Sequence, residues 1–203
     1  MSDFLLELYS EEIPHGLQIN TRKNLEASFL KSLEDENIKC KKLHIYSTPS
    51  RICVFIEGLP ATMNIAAKEI KGPKVGTPPQ ALEGFLKSNQ LHKSDIFEKE
   101  TDKGNFYFAK TKKQTVDLQV SFQTIVPDIL KSINWKKSMR WSDHDLSWGR
   151  PLKSILCLFD ASIVPFHFYH LQSTNKIFLG GPYDEKSFVV KNATHYFTLL
   201  KDK

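Results

Sequence analysis

Lys42-Leu43-His44-Ile45-Tyr46-Ser47-Thr48-Pro49-Ser50-Arg51-Ile52-Cys53-Val54-Phe55-Ile56-Glu57 reads as two strands, residues 42–47 and 51–57, joined at Thr48-Pro49-Ser50. The second is continuously apolar from Ile52 to Ile56, which predicts a strand central in its sheet and covered on both faces. Arg51 stands at its entrance beside the turn, where a guanidinium is expected to reach outward without a burial cost. Toward the N-terminus, Phe4 to Tyr9 is a short apolar segment suited to a first strand. It is stopped by Ser10-Glu11-Glu12-Ile13-Pro14, because proline lacks a ladder donor. From Pro14 to about Glu36, Leu17, Leu25, Phe29 and Leu33 recur at multiples of four among charged residues, predicting an amphipathic helix.

Toward the C-terminus, Lys68 to Pro79 is rich in glycine, proline and lysine and reads as a linker or exposed loop. Gln80 to Asn89 reads as a short helix weakened by Gly84, and Ser94 to Phe97 as a brief one. Thr101-Asp102-Lys103-Gly104 predicts a tight turn before the aromatic strand Asn105 to Lys110. Asp117 is placed to cap a helix running to about Ile133, with a kink or restart expected near Val126 from Pro127. Lys153 to Phe159 is apolar throughout, and periodicity leaves helix and strand open there. Ile163 to Tyr169 reads as a strand, Gly180-Gly181-Pro182 as a break, and Ser187 to Val190 as a strand before a short helix. Helices and strands alternating irregularly around a hairpin predict an α+β fold with mixed and antiparallel sheets, in up to two lobes, residues 1–72 and 80–175, about a loop at 68–79.

The 203 residues are enough for one large or two small domains with a proper core. A net charge of +5 and a pI near 9.0 tilt the expected partners toward polyanions. Cys40, Cys53 and Cys157 are odd in number, widely spaced and form no Cys-x-x-Cys pair, so neither a disulfide framework nor a zinc knuckle is expected and a reducing cytoplasm fits best. The N-terminus opens with an acid and breaks its apolar run at Glu7, unlike a signal peptide, and no run of about 18 uncharged apolar residues is present.

All three tryptophans, Trp135, Trp141 and Trp148, fall in or beside residues 136–151, interleaved with Lys136, Lys137, Arg140 and Arg150. Aromatic faces among phosphate-seeking cations are the ingredients of a nucleic-acid surface. The alternative is that Met139, Trp141 and Trp148 form core under a loop with a solvated rim of cations. Other chemistry is sparse. Glu11 and Glu12 would diverge as strand neighbours, and a salt bridge to a cation such as Arg51 is expected for them rather than catalysis. Asp143-His144-Asp145 has metal-ligand residue types but no second cluster, and reads as a polar turn beside Trp141. His167 and His170 would converge only on a helix, which their β-prone surroundings oppose. Cys53 and Cys157 sit inside apolar runs as inert thiols. Neither a Gly-x-Gly-x-x-Gly nor a Gly-x-x-x-x-Gly-Lys-Ser/Thr string is present.

Several strings, taken in order, resemble the N-terminal portion of the beta subunit of the bacterial heterotetrameric glycyl-tRNA synthetase. Leu6-Glu7-Leu8-Tyr9-Ser10-Glu11-Glu12-Ile13-Pro14 is similar to that family's "E-I-G-T-E-E-L-P", and Thr48-Pro49-Ser50-Arg51-Ile52 to "T-P-R-R-L", with Ser50 in place of one arginine. Lys71-Gly72-Pro73, Ala81-Leu82-Glu83-Gly84-Phe85 and Thr101-Asp102-Lys103-Gly104 resemble "R-G-P", "A-A-E-G-F" and "T-D-K-G". Lys137-Ser138-Met139-Arg140-Trp141 and Arg150-Pro151 resemble "K-x-M-R-W" and "R-P". The chain departs where the family has a Gly-His-Arg-Phe string: it reads Lys176-Ile177-Phe178-Leu179-Gly180-Gly181-Pro182, without that histidine and arginine.

The resemblance implies a cytoplasmic role in ATP-dependent glycine–tRNA ligation. The alpha subunit would carry the active site for ATP, magnesium and glycine, and the beta subunit would chiefly hold the tRNA. It implies no catalytic residue, metal site or cofactor in this chain. Family members continue into HD-like and anticodon-binding domains that 203 residues are not expected to include. Arg51, Lys71, Lys103, Lys137, Arg140 and Arg150 become the candidates for tRNA backbone contact, with Trp141 packing or stacking beside them. Two other readings are an assembly module, supported if Phe106, Phe108 and Phe166 expose apolar area, and a stand-alone RNA-binding protein.

Overall fold

The computed structural model describes residues 1–65, 69–89, 91–101, 104–110, 114–180 and 185–202. The chain divides into two compact units, one of Met1–Met63 with Asp117–Lys203 and one of Asn64–Val116. The division therefore falls at different places from the 68–79 loop expected from composition. In chain order the elements are β1 (Ser2–Ser10), α1 (His15–Asp35), β2 (Lys42–Thr48), β3 (Arg51–Leu59), β4 (Thr62–Ile65), β5 (Glu69–Lys74), α2 (Pro79–Ser88), a 3-10 turn (Lys93–Asp95), β6 (Ile96–Thr101), β7 (Gly104–Lys110), β8 (Gln114–Asp117), α3 (Leu118–Ser132), β9 (Leu152–Phe159), β10 (Ser162–Ile163), β11 (His167–Phe168), β12 (Leu171–Thr174), β13 (Lys176–Leu179), β14 (Lys186–Val189) and α4 (Ala193–Lys201). The fold is α+β, with mixed and antiparallel sheets.

The larger unit is organised around β1. Its sheet runs β11-β12-β9-β1-β3-β2, with β10 added on β9. β1 is antiparallel to both neighbours, β3 and β9, while β12 joins β9 in parallel. The quoted hairpin is β2–β3, in register from Lys42↔Glu57 to Thr48↔Arg51.

Side chains alternate across a strand, and β1 is buried on both sides. Phe4 meets Phe29 of α1 and Phe122 of α3 at ring-centroid distances of 5.8 and 4.5 Å. On the opposite face Leu5, Cys53, Leu156 and Leu158 pack with Ile177, Leu179, Val190, Ala193 and Tyr196 from the β13–β14 hairpin and α4. Full burial of a side chain such as Phe4 or Phe122 stabilises by about 1.5–3 kcal/mol. Covering on both faces also explains why 153–159 lacks a period: it is β9, a strand.

α1 begins directly after Pro14, whose carbonyl accepts from the Leu17 and Gln18 amides. It ends in a Schellman arrangement: Asn37 takes a φ of 54°, its amide donates to the Glu34 carbonyl, and the Ile38 amide reaches the Leu33 carbonyl at 2.8 Å. The buried stripe includes Gln18 and Thr21 beside Leu25, Phe29 and Leu33. Both polar members are satisfied locally, Gln18 on the Ile13 carbonyl at 2.7 Å and Thr21 on that of Leu17 at 2.8 Å. α3 runs through Pro127 as one helix, and Asp117 gives it no side-chain cap.

In the smaller unit β5, β7 and β6 form an antiparallel sheet in that order, with α2 against β5. β4 pairs with β8. Part of the expected 68–79 loop is thus the strand β5. Pro73 is tolerated because β5 is an edge strand whose register shifts between Lys71 and Lys74. The expected strand over 163–169 is split into β10 and β11, and Asp102, Lys103, Gly181 and Pro182 lie outside the described residues. Among the described residues no helix is long and apolar enough to cross a membrane.

Candidate nucleic-acid interface

Residues 135–151 leave α3, fold back on themselves and lead into β9. The Met139 amide donates to the Trp148 carbonyl at 2.8 Å and the Trp148 amide to that of Met139 at 3.1 Å, closing a loop over 140–147. Ser142 turns it with a φ of 52°.

The tryptophans divide by environment. Trp148 is 2% exposed and packs on Trp135 at 5.0 Å and Phe168 at 5.6 Å, so it is core. The built Cβ of Gly149 would lie 2.4 Å from the Trp135 ring, so only glycine fits under that indole. Trp141 is half-buried, with its ring edge-on to His170 at 6.0 Å, and Met139 is 41% exposed. The core reading therefore holds for Trp148 and not for Met139.

Lys136, Lys137 and Arg140 are exposed and pair with no carboxylate among the described residues. Arg150 is half-buried and donates to the Gly149 carbonyl at 3.0 Å. Across the loop His144 lies flat on His170, centroids 3.6 Å apart, with Asp143 3.8 Å from the His144 ring nitrogen. Burial, then the neighbouring His144, hold the His170 imidazole below its ordinary pKa, while Asp143 opposes them. The hydrogen bond from Ser142 holds the Asp143 carboxyl below its usual range. Asp143-His144-Asp145 is thus a polar turn over an imidazole stack. That stack escaped the sequence reading, because His170 comes from a turn after β11 with no local signal linking it to His144.

Arg51 is placed differently from the expectation. Its guanidinium lies inward, 13% exposed, with Nη1 3.0 Å from both oxygens of Glu7, which is 1% exposed on β1. It also donates to the Phe178 carbonyl and lies over the Tyr9 ring at 4.5 Å. The Tyr196 hydroxyl donates to Glu7 at 2.6 Å. Burial pushes the Glu7 carboxyl above its ordinary value, opposed by Arg51 and the hydrogen bond from Tyr196. Burial and the hydrogen bond to Glu185 push the Tyr9 hydroxyl up to about 12, and burial takes the Cys53 thiol to about 12.

The expected pairing of Arg51 with Glu11 or Glu12 does not form: Glu11 faces Lys153 at 3.4 Å and Glu12 is exposed. Arg51 is therefore a fastener between β1, β3 and β13. Lys71 sits on β5 with its ammonium 3.6 Å from the Phe106 ring centroid, and Lys103 is outside the described residues. Phe166 is buried, contrary to the exposure expected of an assembly face, whereas Phe106 and Phe108 are half-buried.

Among the described residues no three His, Cys, Asp or Glu side chains converge as a metal site would require.

A family model described as glycyl-tRNA synthetase beta subunit matches residues 4–203. The glycine–tRNA ligase beta subunit of Rickettsia bellii (strain OSU 85-389) is 33% identical over 202 residues, all of this chain and 30% of the relative. That of Rhodospirillum centenum is 36% identical over 169 residues, 81% of this chain and 23% of the relative. That of Ruegeria sp. (strain TM1040) is 38% identical over 158 residues, 78% of this chain and 23% of the relative. The chain thus spans under a third of the length of these relatives. The match across residues 4–203, which takes in both units of the fold, shows that this chain belongs to the glycyl-tRNA synthetase beta subunit family.

Proposed function

We propose that this chain is a tRNA-holding and assembly portion of a glycine–tRNA ligase beta subunit. It would support ATP- and magnesium-dependent glycylation performed by an alpha subunit, without a catalytic residue of its own. The observation that carries the reading is the exposed set Lys136, Lys137 and Arg140, unpaired among the described residues and flanking the half-buried Trp141. Unpaired surface cations are free to replace the counterions of a phosphate backbone, and an accessible indole can take a base. Lys137, Arg140, Arg150 and Trp141 form the proposed contact on the larger unit, with Lys71 on the smaller one. Arg51 is left out, because removing it from Glu7 would strand a buried carboxylate.

The test is Arg140→Ala, with glycine tRNA binding followed across a salt series. Loss of one phosphate contact should weaken binding and reduce the slope of log K against log salt by about one. An unchanged slope and affinity would make Arg140 structural. Stable co-elution with alpha subunit, with tRNA ignored by the chain in either state, would favour assembly alone.

A further inference from the structure

The second face of the β5–β7–β6 sheet carries a feature that the tryptophan loop does not explain. Cross-strand partners in an antiparallel sheet point to the same side. The pairs Lys71↔Phe108 and Phe97↔Phe108, with Lys99↔Phe106 two residues along, set Lys71, Phe97, Lys99, Phe106 and Phe108 on one face. α2 lies on the other: a Cβ built on Gly72, the neighbour of Lys71, would meet the Phe85 ring at 3.0 Å. Ala109, opposite Ile70 and Ile96, is fully buried on that side.

A sheet covered by helix on one side is expected to alternate apolar inward and polar outward. Here the side away from α2 has three half-buried phenylalanines set between exposed lysines. The Lys71 ammonium is 3.6 Å from the Phe106 centroid, the Lys99 ammonium 5.4 Å from that of Phe108, and the Phe97 and Phe108 rings stack at 6.2 Å. Lys74, paired in register with Phe106, adds a third exposed cation. Among the described residues of the three strands, the carboxylate on this side is Glu69, 3.0 Å from Lys99, while alternation turns Glu98 and Glu100 to the α2 side.

We infer that this face is a platform for unpaired RNA nucleotides, whose bases stack on Phe106 and Phe108 while Lys71, Lys74 and Lys99 take the phosphates. Ring faces accept any base, and lysines supply the salt-dependent attraction. The Lys71 and Lys99 ammoniums now cap rings by cation–π attraction and move to a phosphate when a base replaces them. Phe106 and Phe108 are two residues apart on one strand, about 6.8 Å, twice the roughly 3.4 Å interval of stacked bases. The face thus suits splayed nucleotides rather than a continuous duplex stack. A protein partner fits less well, since the cores of protein interfaces are depleted in lysine. The inference rests on the reading that the chain holds tRNA, and adds to it a contact for single-stranded segments on the smaller unit.

The experiment is fluorescence anisotropy of a labelled 12-nucleotide mixed-sequence RNA, its duplex and glycine tRNA. Each is titrated with the full chain, with Phe106→Leu/Phe108→Leu, which keeps the apolar volume, and with Arg140→Ala; thermal melts of the variants run alongside. The expected result is preference for the single strand over the duplex and at least a tenfold loss with the folded leucine variant. Equal single-strand binding by the folded leucine variant overturns the platform. If that variant unfolds, ultraviolet crosslinking of the RNA to the wild-type chain decides: adducts within residues 104–110 support the platform, and adducts elsewhere overturn it. Retention of tRNA by the leucine variant with loss in Arg140→Ala sinks the platform alone, whereas no binding of any RNA to the wild-type chain sinks both readings.

Discussion

Replacing Arg51 with methionine keeps an unbranched apolar stem and removes the charge, which leaves Glu7 buried at 1% exposure with the Tyr196 hydroxyl as its remaining hydrogen-bond partner among the described residues. Removing one partner of a buried ion pair costs about 3–5 kcal/mol. The chain has an escape, because Glu7 can take a proton. Neutralising at pH 7 a carboxyl whose unfolded value is near 4.3 costs about 1.4 kcal/mol for each of roughly 2.7 pH units, or about 3.7 kcal/mol, which caps this part of the penalty. Loss of the donor to the Phe178 carbonyl adds about 1 kcal/mol that does not depend on pH.

The sign follows from what Arg51 does to Glu7: burial pushes the carboxyl up and Arg51 opposes that push, so removing Arg51 raises the carboxyl further than in wild type. A carboxyl whose folded pKa lies above its unfolded value is best tolerated below the unfolded value, and that advantage is lost as pH rises through the folded one. At pH 5 the escape costs only about 1 kcal/mol. Urea denaturation of wild type and Arg51→Met should therefore show a deficit of at most about 4–5 kcal/mol at pH 7, shrinking to at most about 2 kcal/mol at pH 5. A deficit below 1 kcal/mol at pH 7, or one no smaller at pH 5, would refute the fastener assignment. So would loss of tRNA binding at unchanged stability, which would return Arg51 to the surface.

Tyr196→Phe should cost about 1.5–3 kcal/mol at neutral pH, because it removes a 2.6 Å hydrogen bond to that carboxylate without changing the ring; an unchanged urea midpoint would contradict it. Gly149→Ala should destabilise by about 1–3 kcal/mol and shift Trp135 fluorescence, since the added methyl overlaps the indole; a neutral, spectrally silent variant would mean the ring moves aside freely. His170 should titrate below the ordinary histidine value in a proton NMR series. Because its folded pKa is depressed, the His144–His170 stack should be intact above about pH 6.5 and should open as pH falls through the folded value. Titration at or above the ordinary value would contradict that geometry.

The hairpin at 42–57 and the interior position of β3, between β1 and the edge strand β2, could be read directly, because a run covered on both faces needs no polar positions. The same property hid the type of 153–159, where two-sided burial erased the period that would tell strand from helix. Lys68 to Pro79 misled through composition: glycine and proline mark loops in general, yet an edge strand with a bulge accommodates both.

Arg51 was misplaced because its partner, Glu7, looks in sequence like an interruption of an apolar run. Alternation along β1 does hold the clue, since Leu5, Glu7 and Tyr9 share the face that α4 later covers. The basic tryptophan loop was visible as a string, but the burial of Trp148 and the access of Trp141 depend on Phe168 and His170, contributed some 20 to 30 residues downstream. The phenylalanine and lysine face of the smaller unit was visible only as an aromatic strand; pairing with β5 and β6 brings Lys71 and Lys99 to it.

The measurement that tests the central claim most directly is binding of the purified chain to glycine tRNA and to an unrelated tRNA across a salt series, with and without alpha subunit. The account expects the chain alone to bind glycine tRNA, with log affinity falling linearly as log salt rises. Binding absent at low salt, both alone and with alpha subunit, would contradict it.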